Sequence, residues 1–129
     1  MVEGGMTRYL QLNDISSYKR AFSLSNYVWA IVSKWDRHAK NGLGIQYTDA
    51  IDSVSALIAE GFGRYSKKDK VHYYRMARGS VMESLDWTLK SKVRGLVTKS
   101  QYDHIIAALQ ELPREINQLI KYTRDKLKE

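Results

Sequence analysis

Apolar side chains return every three or four residues along four stretches of this sequence, with short runs of Gly and polar residues between them. In the first stretch, Tyr18, Ala21, Phe22, Val28, Trp29, Val32 and Trp35 predict a helix over 14–39. Asp14 is its candidate N-cap, and Asn41-Gly42 marks its end. Val54, Leu57 and Ile58 belong to a second helix over 45–60. A third, over 67–93, carries Val71, Tyr74, Val81, Leu85 and Leu89 on one stripe. Gly95 breaks it. In the fourth, over 99–127, Tyr102, Ile105, Leu109, Leu112, Ile116, Leu119 and Leu127 recur near a 3.5-residue period. Thr98 and Gln101 form a capping box at its start. Pro113 removes one backbone donor and is expected to kink or divide that helix. No stretch alternates at period two. The pattern therefore predicts an all-α chain, an antiparallel up-down four-helix bundle over 14–129 preceded by a flexible arm over 1–13.

The segment joining helices two and three holds most of the unusual chemistry. Gly61 and Gly63 interrupt the apolar pattern and are expected to end a helix in left-handed geometry. Ser66 follows as N-cap, with Asp69 in the first turn. The third helix has a second stripe, Tyr73, Ala77, Ser80, Ser84 and Trp87, mostly of small residues. Close approach of a neighbouring helix to that stripe would account for Gly79 in mid-helix. A bundle core needs only one stripe per helix, so the second predicts a homo-oligomer, with Tyr73 and Trp87 as interface anchors. Arg78 lies on the apolar stripe and requires a partner or an exposed route for its head group.

Charge sharpens this picture. The chain has 129 residues and a formal net charge of +7. Residues 61–100 hold ten Lys/Arg and three Asp/Glu, so the whole excess lies there. Arg64, Lys67, Lys68, Lys70 and Arg75 surround the third helix start, and Lys90, Lys92 and Arg94 its end. These eight residues are candidate phosphate contacts, joined by the free N–H groups after Ser66. The bland reading is a solvated helix face. With no Cys, disulfides and thiolate metal sites are excluded. No apolar run is long enough to span a bilayer and no signal segment stands at the start, so the expected location is cytoplasmic, with no membrane contact.

Catalytic and metal chemistry find little support. His38, His72 and His104 lie on different elements, and Asp69-x-x-His72 has no second copy of the kind di-metal bundles use. GFGRYSKK lacks phosphate-loop spacing and follows no strand. No Ser sits in a Gly-x-Ser-x-Gly elbow. Glu60 and Glu83 are the one candidate acid–base pair, and their bland reading is charge pairing with Arg64 or Arg78. No cofactor, metal or catalytic residue is expected.

Ile58-Ala59-Glu60-Gly61-Phe62-Gly63-Arg64-Tyr65-Ser66 resembles the I-A-E-G-x-G-R-x-S corner of the four-helix-bundle family related to proteins encoded in intervening sequences of bacterial large-subunit ribosomal RNA genes. Met76-Ala77-Arg78-Gly79-Ser80-Val81-Met82-Glu83 is similar to its I-A-x-G-S-x-x-E segment. Gly42-Leu43, Gln46, Ala50 and Ser53 match its G-L-x-x-Q-x-x-R-A-x-x-S spacing. The resemblance covers about residues 14–123. Asp49 departs from the family's usual Arg, Leu57 from Asn and Ser55 from Pro. The resemblance implies a left-handed bundle assembling into a pentameric ring, nucleic-acid binding, and no catalytic residues. It also implies structural roles for Gln46, Glu60, Gly61, Gly63, Arg64, Gly79, Ser80 and Glu83. A more distant relative is an accessory of reverse transcriptase in diversity-generating retroelements. The function expected from these readings together is a non-enzymatic, oligomeric, basic bundle binding RNA or DNA through phosphates. The alternative is a protein-interaction scaffold or accessory subunit for an acidic protein partner.

Overall fold

The computed structural model describes residues 10–127. A 3-10 turn, Leu12–Asp14, leads into α1 (Ser16–Val32). Next come α2 (Arg37–Ala39), a π-helical turn (Lys40–Gly44) and α3 (Ile45–Phe62), which continue one another. α4 (Lys67–Val93) and α5 (Lys99–Lys126) complete the chain. No strand occurs among the described residues. Four rods result, each packed on the next, with α5 closing the ring against α1. Two contacts between turns set the directions. Trp35 Nε1 donates to the Leu96 carbonyl (2.9 Å), bringing the end of α1 to the α4–α5 turn. Lys67 Nζ donates to the Arg124 carbonyl (3.0 Å), bringing the start of α4 to the end of α5. Of the arm expected over 1–13, residues 1–9 lie outside the described residues, and Leu12 packs on the core.

The helix boundaries differ from the sequence expectation at the first corner. α1 ends at Val32, and Asp36 starts the next helix by accepting from Ala39 N (2.9 Å). Asn41-Gly42 ends nothing, because it lies inside the π turn. Asp14 does not cap α1 either. Its carboxylate accepts from Gln11 N (2.8 Å), and Ile15 occupies the N-cap position. Three other signals hold. Ser66 Oγ accepts from Asp69 N (3.1 Å). Thr98 and Gln101 form the reciprocal capping box. Gly95, at φ 71, ends α4 with Leu96 N bonded to Ser91 O and Gly95 N to Lys92 O, a Schellman closure. α5 runs undivided through Pro113.

Leu24, Val28, Tyr47, Ile51, Val54, Ile58, Tyr74, Val81, Ile105, Leu112 and Ile116 are the centre of the core. Each such side chain contributes about 1.5–3 kcal/mol by leaving water. On α4 the buried stripe is Val71, Tyr74, Ala77, Val81, Ser84, Thr88 and Ser91. It merges the two stripes read from the sequence and leaves Leu89 exposed, with Leu85, Tyr73 and Trp87 half-buried at its edges. Ser84, Thr88 and Ser91 each donate to the carbonyl four residues back, at 2.8 Å, which satisfies their buried hydroxyls. Since the Thr88 proton goes to Ser84 O, the Tyr47 hydroxyl is the donor in the 2.6 Å Tyr47–Thr88 bond. Phe22 and Trp29, placed on the apolar stripe of α1 by their spacing, are exposed instead.

Gly61 and Gly63 are not left-handed. Gly61 is helical, and a Cβ there would lie 2.8 Å from Tyr74 Cε1 and 2.9 Å from Tyr73 Cβ. It is glycine because α4 passes against its backbone. Gly61→Ala is therefore expected to lower stability by about 1–3 kcal/mol, seen as a lower urea midpoint with unchanged helix content. Burial pushes Tyr47 up to about 12 and pushes Tyr74 up to about 12 as well. The fold thus holds both phenols neutral. Their contribution is complete below the ordinary tyrosine value of about 10 and is lost as pH rises from there toward 12. Circular dichroism against pH should show unfolding coincident with tyrosinate formation, and Tyr74→Phe should make that loss shallower.

Candidate nucleic-acid interface

Structural duties claim several of the cations around the α3–α4 corner. Arg64 lies across the Tyr73 ring, 4.5 Å from its centroid, and one of its terminal nitrogens contacts the Glu60 carboxylate and the Tyr73 hydroxyl, both at 2.6 Å. Glu60 thus finds the Arg64 partner its bland reading required. Lys70 donates to the Phe62 carbonyl (2.7 Å) at the end of α3, and burial lowers its pKa. A cation there complements the negative helix terminus. Lys67 caps α5 in the same way through Arg124 O. Lys68 and Arg75 are exposed.

At the far end of α4, Lys90 pairs with Asp86 (2.7 Å) and lies 4.6 Å from the Trp87 ring centre. Lys92 sits 4.2 Å from the Tyr102 ring centre, and Arg94 is exposed. The 27 residues of α4 hold these two groups roughly 40 Å apart. They are two poles.

The remaining motif residues separate into packing and surface roles. Ser53 Oγ and Ser80 Oγ are hydrogen-bonded at 2.8 Å, joining α3 to α4. Gly63 follows α3 in right-handed geometry. Gln46, Gly79 and Glu83 are exposed. A Cβ on Gly79 would meet nothing within 4 Å, so close packing inside the subunit does not explain that glycine. Glu83 accepts from Trp87 Nε1 (3.3 Å). Tyr73 and Trp87, the expected interface anchors, are half-buried, Tyr73 beneath Arg64 and Trp87 against the core. Arg78 reaches Asn117 Oδ1 on α5. Asp49 is exposed, and Leu57 packs on the core.

Tertiary packing adds cations that sequence reasoning passed over. Arg124 and Lys126 join Lys67 and Lys68 at one pole, because α5 ends where α4 begins. Asp125 lies among them, its carboxyl held low by the Lys121 hydrogen bond and by Lys126 and Lys67. At the other pole, Lys34 and Arg37 lie close to Trp35 in the chain, and the Trp35 bond to the Leu96 carbonyl joins their corner to the turn that follows Arg94. The basic end of α5 was readable, but its neighbour was not. Arg20 and Glu115 were also unforeseen. Arg20 Nε and a terminal nitrogen grip the buried Glu115 carboxylate at 2.8 and 3.2 Å across α1 and α5. Beside them runs a groove of about 550 Å³ lined by Lys19, His104 and Glu111 among others. Arg20 in its wall is already held by Glu115, with Glu111 close by. No group of His, Asp or Glu able to hold a metal occurs among the described residues. No helix among them is long and apolar enough to cross a membrane.

Residues 13–118 match the family described as 23S rRNA-intervening sequence protein. The chain belongs to that family. Within the 23S rRNA-intervening sequence protein fold, the corner motif now has a physical reading: Gly61 admits α4, Glu60 and Tyr73 hold Arg64, and Ser66 caps the next helix. A solved relative is a protein of unknown function from the S23 ribosomal protein family of Bacteroides thetaiotaomicron. It is 16% identical with a TM-score of 0.72, and the match covers 81% of this chain and 98% of that one. At that identity the likeness establishes the fold alone. No curated protein matches the chain. Because Lys70 serves α3 and Lys68 does not, the two should respond differently to substitution. Lys70→Gln is expected to cost about 1.5–3 kcal/mol and Lys68→Gln at most about 0.5 kcal/mol, compared by chemical denaturation.

Proposed function

We propose that this protein is a non-enzymatic, oligomeric bundle that binds RNA or other nucleic acid through phosphate contacts at its basic poles. The observation that carries this reading is the meeting of Lys67 and Lys68 with Arg124 and Lys126, fastened by the 3.0 Å bond from Lys67 to the Arg124 carbonyl. The first N–H groups of α4 open at the same pole, where a helix start favours an anion. In a ring, as the family resemblance implies, each pole would be repeated by symmetry and weak subunit contacts would act together.

The same lysines meet the needs of a different partner in the alternative reading, a scaffold for an acidic protein. The exposed Phe22, Trp29 and Ile45 favour protein contact. Capture that survives nuclease treatment would support the scaffold.

Filter binding with single-stranded RNA over a salt series tests the leading reading. Log affinity should fall linearly with log salt, with little sequence preference. Replacing Lys68, Arg124 and Lys126 with Gln should flatten the slope by about 2, at roughly 0.7 for each phosphate no longer neutralised. If neither RNA nor DNA is retained at low salt, the nucleic-acid reading is wrong.

A further inference from the structure

Around α4, cations and aromatic rings pair within the chain. Arg64 lies over Tyr73, Lys70 over Phe62, Lys90 over Trp87 and Lys92 over Tyr102, at centroid distances between 4.2 and 5.4 Å. Tyr65 is the exception. It stands in the α3–α4 corner between Arg64 and Ser66 and is 91% exposed, more than any other Phe, Trp or Tyr among the described residues. The cations beside it turn elsewhere. Arg64 reaches back to Glu60 and Tyr73, and Lys67 reaches across to the Arg124 carbonyl. A ring that serves the fold is buried or covered, because the area it removes from water is its main contribution. Tyr65 is neither, and its faces stand open within a basic pole.

The charge around the ring selects its occupant. Lys68 is exposed just beyond it in the chain, and α5 brings Arg124 and Lys126 to the same pole. Among the described carboxylates there, Glu60 is held by Arg64 (2.6 Å) and Asp125 by Lys121 (2.7 Å), while Asp69 is exposed in the first turn of α4. The cations outnumber it. An acidic peptide answers the cations and leaves the ring unused. A strand of nucleotides answers both, with phosphates for the cations and an unpaired base for the ring. A duplex answers only the cations, since its base faces already cover one another.

We propose that the α3–α4 corner binds single-stranded nucleic acid, with one unpaired base stacked on Tyr65 and neighbouring phosphates on Lys68, Arg124 and Lys126. This rests on the nucleic-acid reading above and names the class of strand it takes. The two poles then differ. At the far end of α4, Trp87 and Tyr102 already lie under Lys90 and Lys92, so that pole offers a strand its charge alone.

Fluorescence anisotropy tests this with three probes: a short unstructured RNA strand, an abasic strand with the same number of phosphates, and the matching duplex. Wild type should hold the natural strand at least about fivefold more tightly than the abasic one. Tyr65→Ala should lose that factor, and Tyr65→Phe should keep it. Both variants should retain the wild-type circular dichroism and urea midpoint, because the side chain is so exposed. The Tyr65→Ala loss should be the same at every salt concentration, since stacking releases no counterion, whereas Lys68→Gln should flatten the salt slope. Duplex binding should be unchanged in Tyr65→Ala. An abasic strand held as tightly as the natural one would overturn the proposal and leave the nucleic-acid reading standing. So would a Tyr65→Ala variant that binds the strand as wild type does, or that loses strand and duplex alike. A wild-type protein that retains neither RNA nor DNA at low salt would remove both.

Discussion

The α3–α4 corner depends on the missing side chain of Gly61, because the Tyr73 and Tyr74 side chains of α4 occupy the space that any Cβ there would need. That approach lets the chain reverse within the few residues between Phe62 and Lys67. It brings Tyr73 under Arg64 and Lys70 to the last carbonyls of α3, so the corner is closed by a stacked guanidinium and a capping amine. The family's corner motif is therefore a packing device. Its Glu and Arg hold each other, and its Ser opens the next helix.

This accounts for much of the positive charge. Arg64, Lys67 and Lys70 each complete a local structure, while Lys90 and Lys92 lie over aromatic rings. A cation hydrogen-bonded to a helix terminus still presents part of its field to solvent, but its geometry belongs to the fold. The side chains left to meet a ligand are exposed ones such as Lys68 and Arg94, which cap no helix and cover no ring among the described residues.

The seam between α1 and α5 is held differently. It is the thinnest of the four, and the buried carboxylate of Glu115 lies within it, 6% exposed and gripped by Arg20. A charge so placed is tolerable only while its partner stays. The ion pair therefore selects one alignment of α1 against α5, while apolar packing does most of that work between α3 and α4.

Four helices, the caps at Ser66 and Thr98, the stop at Gly95 and the buried run from Ile105 to Leu119 were all legible in the sequence. Each depends on residues a few positions apart, and helical period and capping chemistry act over that range. Membership of the family was legible for the same reason, in contiguous motifs. Tertiary structure alone decided the rest. It exposed Phe22 and Trp29, made Gly61 rather than Gly79 the point of close approach, carried the chain helically through Asn41-Gly42, and set Arg124 beside Lys67. Periodicity states which residues share a face of a helix. Which face meets a neighbour, and which distant side chain waits there, is set by how four rods fill one volume.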